Sequence, residues 1–235
     1  MKIEEILQHW RGGLIVSCQA ASGTPLARPD IIAAMAQVAE LNGAVGIRLD
    51  GPDNIKAACQ AVKLPVLGIE KRAFSDSEVY ITPTFECAAR VAASGAHIVA
   101  LDATERARPG GETLAELIAR IQTECLTPVM ADVATFAQGV RAVEEFGVEL
   151  VSTTLSGYTK ETQLCNHANL QLVERLAARL SVPVICEGRL RSPEEVARAF
   201  TSGAFAVVVG AAITGLDWLV RQYAEATPQG GKRPK

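Results

Sequence analysis

The sequence predicts a (β/α)8 barrel, and three observations carry the prediction. Short, continuous, β-branched apolar runs recur from end to end of the 235 residues. Most of these runs stop at a polar or charged side chain. Between them lie segments with helix punctuation, and the helix-closing glycines Gly43, Gly95, Gly147 and Gly203 fall about two βα units apart. Runs apolar on both faces belong to a parallel sheet covered by helices. A doubly wound open sheet competes, but the units continue without a break, and the length is close to the ~250 residues usual for the barrel.

The elements follow in order. Residues 13–19 form the first strand, ending at Gln19. A helix opens at Pro29-Asp30, with proline in the first turn, and Gly43 closes it. Residues 44–48 form strand two, ending at Arg48, and 64–71 form strand three, ending at Lys71. Thr82-Pro83 reads as an N-cap followed by proline, opening a helix that Gly95 closes. Strand four runs to Asp102, strand five to Asp132 and strand six to Thr154. Strand seven ends at Glu187. Ser192-Pro193-Glu194-Glu195 caps the next helix with a box-like glutamate, and Gly203 ends it before strand eight, which closes at Gly210.

Bulk properties bound the function. With 49% apolar residues, the chain can build one large core, read as a single domain over 1–226 with a disordered tail over 227–235. A net charge of −3 without a basic stripe argues against nucleic acid. No apolar stretch approaches the roughly 18 residues of a membrane span, and the charged start Met1-Lys2-Ile3-Glu4-Glu5 lacks the core of a signal peptide. The six cysteines show neither CxxC nor metal spacing, which predicts reduced thiols in the cytoplasm.

Residues ending barrel strands line the active face. Lys71 is read there either as a solvated terminal lysine or as a desolvated base. Glu187 is either an acid/base group or the salt-bridge partner of Arg189 or Arg191. Arg48 suits an oxyanion, Asp132 a hydroxyl and Gln19 a neutral polar group, although each alone is more often structural. Asp102 reads as a loop cap. The loops after strands seven and eight, with Gly188, Arg189, Gly210 and Ala211, are where this barrel usually binds phosphate. His9, His97 and His167 do not cluster, so no histidine metal site is expected.

Four strings then stand out: Gly13-Leu14-Ile15-Val16-Ser17-Cys18-Gln19, Gly68-Ile69-Glu70-Lys71-Arg72, Thr153-Thr154-Leu155-Ser156-Gly157-Tyr158-Thr159 and Glu187-Gly188-Arg189. In order and spacing the chain resembles the N-acetylmannosamine-6-phosphate 2-epimerase family from about residue 12 to 223. The resemblance implies a cofactor-independent barrel, usually dimeric, that acts in sialic acid catabolism on a phosphosugar. It implies that Lys71 and Glu187 are catalytic. It places Gln19, Arg48, Asp132 and Tyr158 on the substrate, and Gly188, Arg189, Gly210 and Ala211 at the phosphate. A phosphosugar-binding barrel without activity is the alternative reading, and an aldolase using Lys71 as a Schiff base is a further one. One position departs: the family typically places an arginine after Ala-Ile-Thr, and Gly215 stands here. Phosphate binding is therefore expected to be weaker, and Gly215→Arg to lower KM, unless Arg189, Arg191 or Arg221 compensates, with Arg189 the first candidate.

Overall fold

The computed structural model describes residues 1–229. Eight parallel strands close in sequence order into a barrel: β1 (Leu14–Cys18), β2 (Gly46–Asp50), β3 (Val66–Ile69), β4 (Ile98–Asp102), β5 (Val129–Asp132), β6 (Leu150–Ser152), β7 (Val184–Glu187) and β8 (Ala206–Val209). The helices are α1 (Ile3–Trp10), α2 (Pro29–Leu41), α3 (Pro52–Ala61), α4 (Phe85–Ala93), α5 (Leu114–Glu124), α6 (Phe136–Glu144), α7 (Leu170–Arg179), α8 (Pro193–Thr201), α9 (Ala211–Thr214) and α10 (Leu216–Glu225). Among the described residues, no helix is long and apolar enough to cross a membrane.

Alternation along each strand splits the core in two. Outward side chains such as Ile47, Leu49, Val99, Leu101, Val151 and Val207 pack under the helices. Inward side chains Ile15, Leu67, Ile98, Met130, Leu150, Ile185 and Ala206 fill the lower barrel. Helix α1, which no sequence signal had placed, closes the floor: Ile6 and Trp10 are fully buried within that inner cluster. Any side chain on Gly46 would run into the Trp10 indole, so the first residue of β2 has to be glycine.

Register sets what lies above this floor. Ser17 pairs with Arg48, Asp102 with Asp132, and Asp132 with Ser152. These inward polar residues form the upper layer of the barrel. Strand β2 runs to Asp50 rather than stopping at Arg48, because Leu49 still packs outward and Asp50 still pairs with Ile69. Arg48 therefore sits inside the barrel, not on its rim.

Local capping holds the scaffold. Thr84, not Thr82, caps α4, its hydroxyl accepting from Cys87 N. Thr82 instead adopts φ 44° and its hydroxyl donates to Ala100 O, which ties the preceding loop to β4. Ser192 caps α8 as expected, but the Glu195 carboxylate accepts from Arg191 N rather than closing a box on Ser192. Thr227 N donates to Ala224 O at the end of α10, and residues 230–235 of the expected tail lie outside the described residues.

Candidate active site

A cavity of about 440 Å3 opens at the C-terminal end of the strands. Gln19, Arg48, Lys71, Tyr158, Glu187, Gly188, Arg189, Gly210 and Ala211 all line it. Of the residues expected there, Asp132 alone does not. It is fully buried beneath Arg48, whose Nη2 and Nη1 donate to its two carboxylate oxygens at 2.6 and 3.2 Å.

Arg48 is the hub. Its Nη1 also donates to Glu187 Oε2 at 2.7 Å, so Glu187 pairs across the barrel and not with Arg189 or Arg191. Thr154 Oγ1 lies 2.7 Å from Asp132 Oδ1 and 3.0 Å from Glu187 Oε2, with Ser152 Oγ at 2.8 Å. Burial pushes the Glu187 carboxyl up from 4.5, the Arg48 charge opposes this, and the Asp132 charge adds to the rise; the result is about 7. A carboxylic acid poised there can take or give a proton near neutral pH.

Lys71 lies two residues beyond β3. Residues 70–72 fold back against 80–82, with Arg72 N donating to Tyr80 O at 2.9 Å and Thr82 N to Glu70 O at 2.8 Å. Asp50, next inward after Arg48, accepts from Lys71 N at 2.8 Å and sits 3.7 Å from its ammonium. Lys71 Nζ also donates to Gln19 Oε1, while Gln19 Nε2 donates to Ser17 Oγ at 2.8 Å. The lysine is thus held over the cavity from β1 and β2.

Asp102 takes the structural role. It is fully buried and accepts from Thr104 N at 2.9 Å, from Thr104 Oγ1 at 2.6 Å and from Arg106. His97 sits at the opposite end of β4, its Nδ1 accepting from Val66 N at 3.1 Å. Among the described residues, no cluster of His, Cys, Asp and Glu could hold a metal ion.

The far wall is built by the loops after β7 and β8. Gly188 has φ +102°, and a Cβ there would press on Thr154 O at 3.3 Å. Arg189 follows in the left-handed region at φ 60°. Its Nη2 donates to Gly157 O at 2.7 Å and its guanidinium lies 4.3 Å from the Tyr158 ring centre, so this arginine is engaged with the β6 loop. Arg221 does not line the cavity. A Cβ on Gly215 would lie 2.7 Å from Ala211 O and 2.8 Å from Ala211 Cα. A side chain here requires α9 to move, a cost that the expectation of tighter binding with an arginine leaves out.

Further lining or supporting residues escaped the sequence reading, among them Ser17, Asp50, Thr154, Tyr80 and Trp218. Ser17, Asp50 and Thr154 are legible in retrospect, each lying two residues from a chosen inward residue or from another inward hydroxyl. Tyr80 and Trp218 reach the cavity through a loop and the last helix, and no periodicity marks them.

This geometry defines a (β/α)8 barrel with a lysine and a glutamate facing one cavity from opposite walls and small-residue loops beyond them. Comparison with known proteins makes the assignment specific. The family model described as "Putative N-acetylmannosamine-6-phosphate epimerase" matches residues 32–229, and the chain belongs to this family. A relative from Synechococcus elongatus, described as an N-acetylmannosamine-6-phosphate 2-epimerase, is 47% identical over 96% of this chain and 98% of its own. One from Thermosynechococcus vestitus with the same description is 49% identical over 92% and 93%. The solved N-acetylmannosamine-6-phosphate 2-epimerase of Clostridium perfringens superposes with a TM-score of 0.91 at 39% identity, covering 97% of this chain and 98% of that one. A geranylgeranylglyceryl phosphate synthase from Thermoplasma acidophilum reaches a TM-score of 0.60 at 17% identity, over 91% and 92%, a likeness of fold alone.

Proposed function

We propose that this protein interconverts N-acetylmannosamine 6-phosphate and N-acetylglucosamine 6-phosphate, by removing a proton from C2 and returning one to the opposite face. The observation that carries the reading is that Lys71 after β3 and Glu187 of β7 face one cavity from opposite sides of the closed barrel. Two groups on opposite faces, one taking a proton and one giving it, are the simplest way to invert one carbon. The C2 hydrogen is acidic only beside a carbonyl, so the C1 oxygen must carry developing charge. Lys71 would take the proton and Glu187 give one, with the roles exchanged in reverse. Arg48 can stabilise charge on the sugar oxygens. Asp132 acts through Arg48, holding its fork by both terminal nitrogens. Gln19 and Tyr158 border the sugar, and Gly188, Arg189, Gly210 and Ala211 border the phosphate, whose binding orients C2. No step calls for a cofactor.

The test is proton NMR of N-acetylmannosamine 6-phosphate with the protein in deuterated water. Epimerisation with solvent deuterium entering C2 is expected. Conversion with the original hydrogen fully retained would sink the two-group mechanism, and no conversion would favour a binding protein. An aldolase acting through Lys71 would instead be trapped by borohydride.

A homodimer fits the surface. No residue of α10 is buried, and Leu216, Val220 and Tyr223 on one face of it are 53, 53 and 76% exposed. They continue an apolar groove lined by Ile31, Met35 and Val38 of α2 and by Ile213. A ten-residue helix has little stability without packing, so a second copy is the proposed cover. Light scattering should give twice the chain mass, and Val220→Asp should shift it to monomer; a monomeric wild type would refute this. A cytoplasmic location is supported by six unpaired cysteines, with burial pushing Cys18 and Cys186 up to about 12.

A further inference from the structure

Three arginines line the cavity: Arg48, Arg189 and Arg191. Two of them are occupied. Arg48 is held by Asp132 and Glu187. Arg189 donates to Gly157 O and lies over Tyr158. Among the described residues the Arg191 guanidinium has no hydrogen bond or ion pair; only its backbone N–H is engaged, by Glu195. It lies instead 5.7 Å from the ring centre of Trp218, which itself lines the cavity. Gly210, Ala211 and Ala212 line the same cavity, and their small side chains let an anion come close.

The position of Trp218 has a backbone cause. Helices α9 and α10 meet at Gly215, where any side chain would strike Ala211, so this junction cannot present a cation. Trp218 stands three residues on, in the first turn of α10. A guanidinium placed over an indole at this distance keeps its donors available, and its planar fork matches two oxygens of a phosphate.

We propose that Arg191, placed over the Trp218 ring, is the side chain that binds the substrate phosphate and sets the preference for phosphorylated over unphosphorylated sugar. This rests on the epimerase reading and adds to it the residue that provides the charge. Arg189 then shapes the loop, and its left-handed backbone and Gly157 bond serve that purpose.

The experiment compares kcat/KM for N-acetylmannosamine 6-phosphate and for N-acetylmannosamine in wild type, Arg191→Gln, Arg191→Lys, Arg189→Gln and Trp218→Leu. The ratio of the two values is the readout, because a general structural loss lowers both and leaves the ratio alone. In Arg191→Gln the ratio should fall about 10-fold or more through KM for the phosphosugar. Arg191→Lys should recover part of it, keeping charge without the fork, and Trp218→Leu should lower it less than Arg191→Gln. A ratio within twofold of wild type in Arg191→Gln, or a collapse in Arg189→Gln alone, overturns the proposal. If wild type converts neither sugar, the epimerase reading fails by itself, and calorimetric binding of N-acetylmannosamine 6-phosphate decides this one. Binding about 10-fold or more weaker in Arg191→Gln supports it; equal binding, or none by wild type, overturns it.

Discussion

Arg48 Nη1 donates to Glu187 Oε2 at 2.7 Å, and that bond holds the carboxyl near neutrality against its burial. The pairing makes the pH dependence specific. Proton exchange needs one proton shared between Lys71 and Glu187. When both groups carry a proton, no base remains. kcat/KM should therefore fall as pH drops through about 7. The same limb should appear in both directions, because the equilibrium constant between the sugars is independent of pH. Thr154→Val removes a bond that favours the carboxylate, so it should move the limb upward. Asp132→Asn removes a repelling charge and should move it downward. Shifts in the opposite senses would take Glu187 out of the limb. Stability is linked in the same window. A carboxyl raised from 4.5 to about 7 favours the fold most when protonated, and that contribution is lost as pH rises through 7. The unfolding free energy of wild type minus that of Glu187→Gln should decline across this range.

Lys71→Ala and Glu187→Gln should each lower kcat by on the order of 100-fold or more. Lys71 stands at the cavity mouth and Glu187 lines its inner wall, and glutamine keeps the glutamate's volume, so neither change opens the core and circular dichroism should remain native. Near-wild-type turnover in either variant would remove that residue from the chemistry. Activity should survive EDTA; loss restored by a divalent ion would overturn the metal-free mechanism.

Arg48→Met should destabilise the fold by about 3–5 kcal/mol near neutral pH, because it leaves two buried carboxylates facing each other without their cation. The cost should shrink at lower pH as Glu187 takes up a proton. Urea titrations at two pH values measure it. Equal destabilisation at both would mean that Glu187 is already neutral in the native state.

Gly215→Arg should raise KM for the phosphosugar and lower the melting temperature, since its Cβ would displace Ala211 at the cavity wall. A lowered KM with unchanged melting would show that α9 yields without cost.

Much of this molecule is legible in the chain. Strands buried on both faces, such as 98–102 and 206–209, need no partner to be recognised, since their composition is local. Glu187 is found because barrel strands point their last side chains at one mouth, and Lys71, two residues past the end of β3, because the segment that follows a strand starts at the same mouth. Tertiary structure decided the rest. Whether Arg48 ends β2 or continues it depends on what Leu49 and Asp50 meet, and those partners lie on β3 and the surrounding helices. That Glu187 pairs with Arg48 and not with Arg189 or Arg191 follows from barrel closure, which sets side chains 139 residues apart within 2.7 Å. The insertion of α1 and Trp10 beneath Gly46, the burial of Asp132 under Arg48, and the placement of Arg191 over Trp218 are likewise distance relations. A sequence displays which side chains can form ion pairs or stack; only the closed barrel determines which of them are near enough to do so.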